Sequence, residues 1–288
     1  LGRQRRPPTT HGLAIVDKPA GVTSHDVVDM LRKRFGERQV GHSGTLDPDA
    51  TGVLLVGVGK VTKLLRFLTA LGKTYTAEVV LGVETSTLDA AGEVVATHDM
   101  SGVTLDDARR VVAEHLTGDI LQIPPMVSAV KVGGKRLHEL AREGIEVERE
   151  PRPVTVHRFE VAATDDPGVL AVEVHCSSGT YVRTLAADLG RLLGGGAHLR
   201  NLRRTAVGSF TVDEARPPDD CVLIDPAAAM RDYATVPVDA ETAAIIATGR
   251  VLPAPPGDGP WAITGPTGEL IAVYEPFNDW SKPAVVLA

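Results

Sequence analysis

Residues 40–59 read VGHSGTLDPDATGVLLVGVG, a polar loop that runs into a buried-looking apolar segment. Val53, Leu54, Leu55, Val56 and Val58 form the apolar run, and His42, Ser43, Thr45, Asp47, Asp49 and Thr51 crowd the loop with short polar groups. A scaffold element that holds a polar loop is a common way to present reactive side chains. Asp47, in the middle of the loop, is a candidate nucleophile or general base. Asp followed by Pro in a Gly-rich loop is also ordinary turn chemistry, because the carboxylate bonds nearby N–H groups and the proline fixes the next φ. The local sequence leaves both readings open.

Working outward, the 288 residues suffice for a large core and more than one domain. A hydrophobic fraction of 43% with 23% charged residues is that of an ordinary soluble protein and argues against disordered and membrane classes. No apolar run approaches the ~18 residues of a membrane span. The opening LGRQRRPPTTHG is basic but lacks the apolar core of a secretory signal. Cys176 and Cys221 have no paired spacing that suggests a disulfide framework or a zinc site, so a reducing, cytoplasmic setting is expected. The net charge of −7 is unevenly placed: residues 1–70 carry 11 Lys and Arg against 6 Asp and Glu. Arg3, Arg5, Arg6, Arg32, Lys33, Arg34, Arg38, Lys60, Lys63 and Arg66 are then either a phosphate-facing surface or solvated helix faces.

Along the chain, residues 1–10 read as a disordered basic tail and Gly12 to Val16 as a short strand ended by the turn Lys18-Pro19-Ala20-Gly21. Ser24 is the expected N-cap of a helix to Phe35, with Gly36 as its stop. Val61 to Leu71 reads as a second amphipathic helix, Lys73 to Val83 as a strand, and ETSTLDAAGEVV (84–95) as a hairpin-like connection. Thr104 begins a helix to about Leu116. Residues 123–144 join a double proline, a Gly-Gly break and a basic helix, the composition of a projecting, movable segment. Val154 to Ala162 and Val169 to Ser177 read as strands, Thr180 as the start of a helix, and residues 198–210 as a basic strand or edge. Beyond a boundary placed near residue 230, a helix (Ala240 to Thr248) and the strands WAITG, LIAVYE and AVVLA make a small β-rich module.

Arg183, in SSGTYVRT (177–184), is a candidate cation for Asp47, or an Arg on an ordinary helix. Tyr75 and Tyr181 are candidates to stack on an unpaired base in a chain with only 4% aromatics, or strand residues finishing a core layer. His25 and His42 lack a second ligand pair at metal spacing, Gly57-Val58-Gly59-Lys60 is too short for a phosphate loop, and no G-x-S-x-G elbow occurs.

Taken together, LAIVDKPAGVTSHDVV (13–28), VGHSGTLDPDATGVLLVGVGKVTKL (40–64), KTYTAEVVLGVETSTLDAAG (73–92), IPPMVSAVKVGGKRLHELAREG (123–144), HCSSGTYVRTLAADLG (175–190) and GAHLRNLRRTAVGSF (196–210) resemble the TruB family of tRNA pseudouridine synthases. The resemblance runs to about residue 212, and its ordered series of motifs is more specific than any one of them. It implies an α+β pseudouridine synthase fold, with a mixed, mainly antiparallel sheet flanked by helices and loops over 11–230, and a PUA-like RNA-binding domain over 231–288. It makes Asp47 the essential carboxylate, Tyr75 the ring stacked against the target uracil and Arg183 the partner of the Asp. Tyr181 and Leu202 match pocket-lining positions, and His42 the His that fills the space of the extruded nucleotide. Residues 123–144 match a mobile loop that closes on RNA, although Val127 stands where an aromatic is common. Lys18, Lys60, Lys63, Lys131 and Arg203 are the candidate contacts to the RNA backbone.

The implied reaction isomerises uridine 55 of the tRNA T-loop to pseudouridine, with the base flipped out and no metal or organic cofactor. Whether Asp47 attacks C1′, attacks C6 or removes a sugar proton is left open by the sequence. The implied partner is tRNA through its T-stem-loop, with no membrane and no obligatory protein partner, and the expected state is a monomer. Competing readings are a noncatalytic RNA-binding module, a guide-RNA-dependent relative, and a glycoside-cleaving hydrolase, which requires a second carboxylate facing Asp47.

Overall fold

The structure is a computed structural model that describes residues 7–128, 131–132, 135–136, 145 and 147–287. These fall into two compact units, one of residues up to 70 together with those from 206 onward, the other of residues 71–205. In the first unit the chain runs through β1 (Gly12–Lys18), α1 (Ser24–Phe35), β2 (Val40–Ser43) and β3 (Thr51–Val58). The apolar run at 53–58 is β3, paired antiparallel with β1 (Val16 opposite Leu54) and with β2 (His42 opposite Val56). Its apolar side chains are buried together, and Leu54, Val56 and Val58 pack with Ala14, Val16, Val27, Val28 and Leu31. This placement explains why the segment reads as continuous rather than alternating.

The N-cap of α1 is Thr23, not Ser24. Thr23 accepts from the Asp26 N–H while the Asp26 carboxylate accepts from Thr23, a reciprocal capping box, and Gly36 closes the helix at φ 65°. Hydrogen bonds from Thr23 pull the Asp26 carboxyl below its usual range. Ser24 is released for a different bond, described below. The expected helix from Val61 begins instead as a 3-10 turn over Gly59–Leu64 and becomes α2 only at Leu65–Ala70. The reason is local: the Thr62 hydroxyl bonds the Gly59 carbonyl and the Leu65 N–H bonds Thr62, which tightens the first turn. Gly59 has φ +62°, and a Cβ there would lie 2.2 Å from the Thr10 carbonyl oxygen.

The second unit contains β4 (Lys73–Leu81), β5 (Val83–Thr85), β6 (Val94–Thr97), α3 (Leu105–His115) and β7 (Gly118–Gln122). It continues with the short pair β8 (Lys131–Val132) and β9 (Lys135–Arg136), then β10 (Arg152–Ala163), β11 (Val169–Cys176), α4 (Val182–Leu192) and β12 (Ala197–Val207). Its sheet has the order β12-β4-β11-β10-β7, with β4, β11, β10 and β7 antiparallel in turn. On β4 the alternation is plain: Lys73, Tyr75, Ala77 and Val79 are buried, while Thr74, Thr76 and Glu78 are partly exposed. The hairpin expected over 84–95 is β5 paired with β6. Helix α4 starts later than expected, with Tyr181 as N-cap, because the Thr180 hydroxyl bonds the Ser177 carbonyl rather than a helix N–H. Most of the 123–144 segment lies outside the described residues.

Past β12 the first unit resumes with β13 (Phe210–Thr211), β14 (Leu223–Ile224), β15 (Ala234–Pro237), α5 (Ala240–Ala247), β16 (Leu252–Pro253), β17 (Trp261–Thr264), β18 (Leu270–Phe277) and β19 (Trp280–Val286). The last five strands form a separate sheet, order β15-β17-β18-β19-β16, in which β15 and β17 are parallel. Trp261, Tyr274, Ile246, Ile263 and Ile271 build its core. The final strand begins at Trp280, four residues before the apolar run AVVLA that marks it in the sequence.

This module meets the basic turn. Lys60 donates to the Leu287 carbonyl (2.6 Å), Lys63 to the Val286 carbonyl (3.1 Å), and Arg66 pairs with Glu275 (2.9 Å). The Tyr233 hydroxyl bonds the Phe67 carbonyl at 2.8 Å. Three of the basic residues read as either phosphate-facing or solvated thus have protein partners. Among the described residues no helix is long and apolar enough to cross a membrane.

Candidate active site

Asp47 is half-buried, on the loop between β2 and β3. Its two chain neighbours are tied down separately. The Leu46 N–H donates to the Ser24 hydroxyl (2.9 Å), which in turn donates to the Leu46 carbonyl (3.1 Å), so one side chain satisfies both backbone groups of a residue that is 3% exposed. On the other side, Pro48 presents its carbonyl to the Lys18 ammonium at 2.8 Å and to the Gly21 N–H at 3.0 Å. The Ala50 N–H closes the turn onto the Asp47 carbonyl at 3.1 Å. The turn chemistry that the local sequence suggests is present here, and it fixes where a carboxylate sits.

Lys18 corrects an expectation. It is 0% exposed, and its ammonium donates to Pro19 (2.9 Å), Val22 (2.6 Å) and Pro48 (2.8 Å) carbonyls. A fully buried cation with three carbonyl acceptors is a clamp between the β1–α1 turn and the Asp47 loop, not a surface contact for phosphate. His42 is half-buried on β2 and makes an edge contact with His25, ring centroids 6.3 Å apart. Ser43 and Thr69 share a hydroxyl bond of 3.2 Å.

Tyr75, Tyr181, Arg183 and Leu202 belong to the second unit. Tyr75 is 8% exposed on β4, opposite Val174 of β11. Tyr181 has its backbone gripped by the Gln122 amide, which accepts from the Tyr181 N–H (2.7 Å) and donates to its carbonyl (3.1 Å). Arg183, in the first turn of α4 and 5% exposed, donates to the Thr87 carbonyl (2.9 Å) and the Val127 carbonyl (2.8 Å) and lies 3.3 Å from an Asp89 carboxylate oxygen. Leu202 and Arg203 are half-buried on β12, and Lys131 falls in β8, where side chains lie outside the described residues.

The Asp89 turn is itself anchored. Its carboxylate accepts from the Thr87 hydroxyl and the Ala91 N–H, and Ala90 and Leu88 exchange backbone bonds of 3.0 Å with Leu199 of β12. The guanidinium is therefore oriented by a fixed fork of acceptors rather than held loosely on a helix surface. Behind Tyr75, burial, with the Arg204 charge adding to it, brings the Lys73 amine down to about 8, and burial raises the Cys176 thiol to about 11. A thiol so placed is not a nucleophile at neutral pH.

Comparison with known proteins identifies the family. The model of the TruB family pseudouridylate synthase N-terminal domain matches residues 32–182, that of the tRNA pseudouridylate synthase B C-terminal domain residues 183–220, and that of the tRNA pseudouridine synthase II C-terminal domain residues 233–288. The chain is 52% identical to tRNA pseudouridine synthase B of Rhodococcus jostii, over 92% of this chain and 90% of that one. It is 44% identical to tRNA pseudouridine synthase B of Mycobacterium tuberculosis, over 97% and 96%. A chain in the crystal structure of a Cbf5-Nop10-Gar1 complex superposes with a TM-score of 0.71 at 26% identity, over 92% of this chain and 78% of that one. The chain belongs to the TruB family.

In this TruB-family enzyme, Ser24 and Lys18 brace the Asp47 loop in the first unit, and Gln122 and Asp89 brace Tyr181 and Arg183 in the second; Lys18, Ser24 and Asp89 stand within the quoted motifs, but no local rule assigns them these roles. Asp89 stands in ETSTLDAAG, which reads as turn composition, and only the fold shows that its carboxylate and the Thr87 carbonyl serve Arg183. The signal available in the sequence was the density of short hydroxyl and carboxylate residues at 85–89, similar to that at 42–51.

Replacing Lys18 by Met leaves the Pro19, Val22 and Pro48 carbonyls without their shared donor, and we expect a loss of about 2–4 kcal/mol in urea unfolding. Ser24→Ala removes both Leu46 bonds, with an expected loss of about 1–3 kcal/mol. A change below experimental error in both would show that the loop does not depend on them. For pH, Lys73 falls from 10.5 to about 8 in the fold, so between those values the unfolded chain holds more protons and stability rises with pH. Cys176 rises from 9.0 to about 11 and acts in the opposite sense over that window. Unfolding midpoints should therefore climb from pH 8 to 9 and then level; Lys73→Met should abolish the climb and Cys176→Ala should extend it upward.

Proposed function

We propose that this pseudouridine synthase acts on tRNA and isomerises uridine 55 of the T-loop. The family membership supports the reaction, and the name tRNA pseudouridine synthase B, carried by relatives of near-equal length, supports the substrate. In the reaction the N1–C1′ bond breaks, the uracil turns, C5 joins C1′, and the C5 proton leaves as N1 regains one. Nothing is added to or lost from the nucleotide, so the protein's task is to extract the base, hold it and stabilise charge as the glycosidic bond opens.

Asp47 is assigned as the essential carboxylate. The observation that carries this assignment is the double anchoring of its neighbours, Leu46 by Ser24 and Pro48 by Lys18, which holds a half-buried carboxylate at a defined place. Attack at C1′, attack at C6 and removal of a sugar proton each require it ionised. Arg183 is assigned as the cation that favours the ionised form, on the strength of its family motif and its fixed guanidinium. Tyr75 is assigned as the stacking ring, with Tyr181 and Leu202 lining the base pocket and His42 entering the space of the flipped nucleotide. Unstacking a base costs a few kcal/mol, and stacking on an aromatic ring returns about 1–3 kcal/mol. Residues 231–288 are assigned as the PUA-like accessory domain, and the enzyme as a monomer that needs no guide RNA.

The test uses unmodified tRNA tritiated at uridine C5. Wild-type protein should release tritium from one T-loop uridine with no other RNA or protein present, and Asp47→Asn should release none while still binding tRNA. Absence of release from wild type across a range of salt would overturn the enzyme reading, and appearance of free uracil would favour hydrolysis. Asp89→Asn, which loosens the fork around Arg183, should slow release by about 10²-fold with tRNA affinity little changed; an unaltered rate would remove Asp89 from the positioning role.

A further inference from the structure

We propose that His157 and His175 form a binding site for a late first-row divalent cation such as Zn²⁺ on the β10–β11 strand pair. The antiparallel register shifts between Val156 and Arg158, so His157 is the extra residue of a β-bulge, and Arg158 stands opposite His175. A bulge re-aims its side chain, and here the two imidazoles lie with centroids 4.9 Å apart and planes tilted by 41°. Both residues are exposed, so a cation reaches them from solvent.

The separation fits chelation. With a metal–nitrogen bond of about 2.0–2.1 Å, each ring centroid stands roughly 3.2 Å from the ion, and two rings subtending about 90–110° at it are roughly 4.5–5.2 Å apart. The observed spacing falls within that range, and the tilt is not that of two rings stacked face to face. Burial also holds the His175 imidazole below its ordinary range, which favours its neutral form. The nearby carboxylates Glu160 and Glu173 are engaged by Arg158. Among the described residues no group of three or more His, Cys, Asp or Glu is arranged to hold a metal, so water would complete the coordination. The site is thus an open, two-ligand one, weaker than a four-ligand structural zinc site. A cation there would staple β10 to β11 across the bulge, and β11 is the strand whose Val174 lies opposite Tyr75.

Equilibrium dialysis of the tag-free full chain against ZnCl₂ tests the proposal. Wild type should bind Zn²⁺, and His157→Ala and His175→Ala should each weaken that binding by about tenfold or more. The thermal midpoint should rise with ZnCl₂ in wild type and stay fixed in the double variant. Should an alanine variant lose its near-UV spectrum, His157→Gln and His175→Gln carry the same comparison. Equal Zn²⁺ affinity in wild type and either folded variant, or a midpoint rise that survives the double substitution, overturns the site.

Discussion

The buried ammonium of Lys18 is the constraint on which the Asp47 loop depends. Removing a cation from water costs several kcal/mol even after relaxation, and hydrogen bonds involving a charged donor return about 1.5–3 kcal/mol each. The carbonyls of Pro19, Val22 and Pro48 together offset much of that cost. The first two belong to the turn after β1, the third to the residue after Asp47. Because one cation bonds all three, the turn and the loop are coupled: a shift of either breaks a bond to the buried charge. Ser24 repeats the device in neutral form on the residue before Asp47.

The same logic governs the guanidinium of Arg183, but with different partners. Its acceptors include two carbonyls and the Asp89 carboxylate, and the Asp89 loop is held by Leu199 of β12. An isomerase with no external reactant gains its rate from placement and electrostatics. Backbone carbonyls help orient such a cation without adding charge, while the Asp89 carboxylate also contributes a full negative charge.

The elements themselves were largely legible in the residues, and the places where the reading slipped share a cause. Thr23 and Ser24 are both good caps; the choice between them is made by a bond from Ser24 to Leu46, twenty-two residues away, which no local rule registers. Lys18 stands in a turn of composition Lys-Pro-Ala-Gly, where lysines are normally solvated, and its burial follows from Pro48, thirty residues on. Thr180 looks like a cap but gives its hydroxyl to Ser177. The 3-10 start at Gly59 is set by Thr62 bonding backward, which periodicity does not distinguish from an α-helical turn. Asp47, Tyr75 and Arg183 stood out because of their family-specific motifs, whereas Asp89, in the same motif as Tyr75, reads as turn composition until its carboxylate is seen beside Arg183, and Gln122 acts through the Tyr181 backbone and stands in none of the quoted motifs.

The basic first segment shows how charge position and charge use diverge. Counted along the chain, Lys60, Lys63 and Arg66 belong to a cationic patch, yet the first two donate to the last carbonyls of β19 and its continuation and the third pairs with Glu275. A lysine bonded to neutral carbonyls keeps its full charge and its long-range field, so it can still attract phosphate from solution even though its ammonium is occupied. Arg66 differs, since Glu275 at 2.9 Å cancels much of its field at distances larger than the pair's own separation. The outward field of this turn is thus carried by Lys60 and Lys63, and the β-rich module sets it both by seating these two lysines on neutral carbonyls and by placing the Glu275 charge against Arg66.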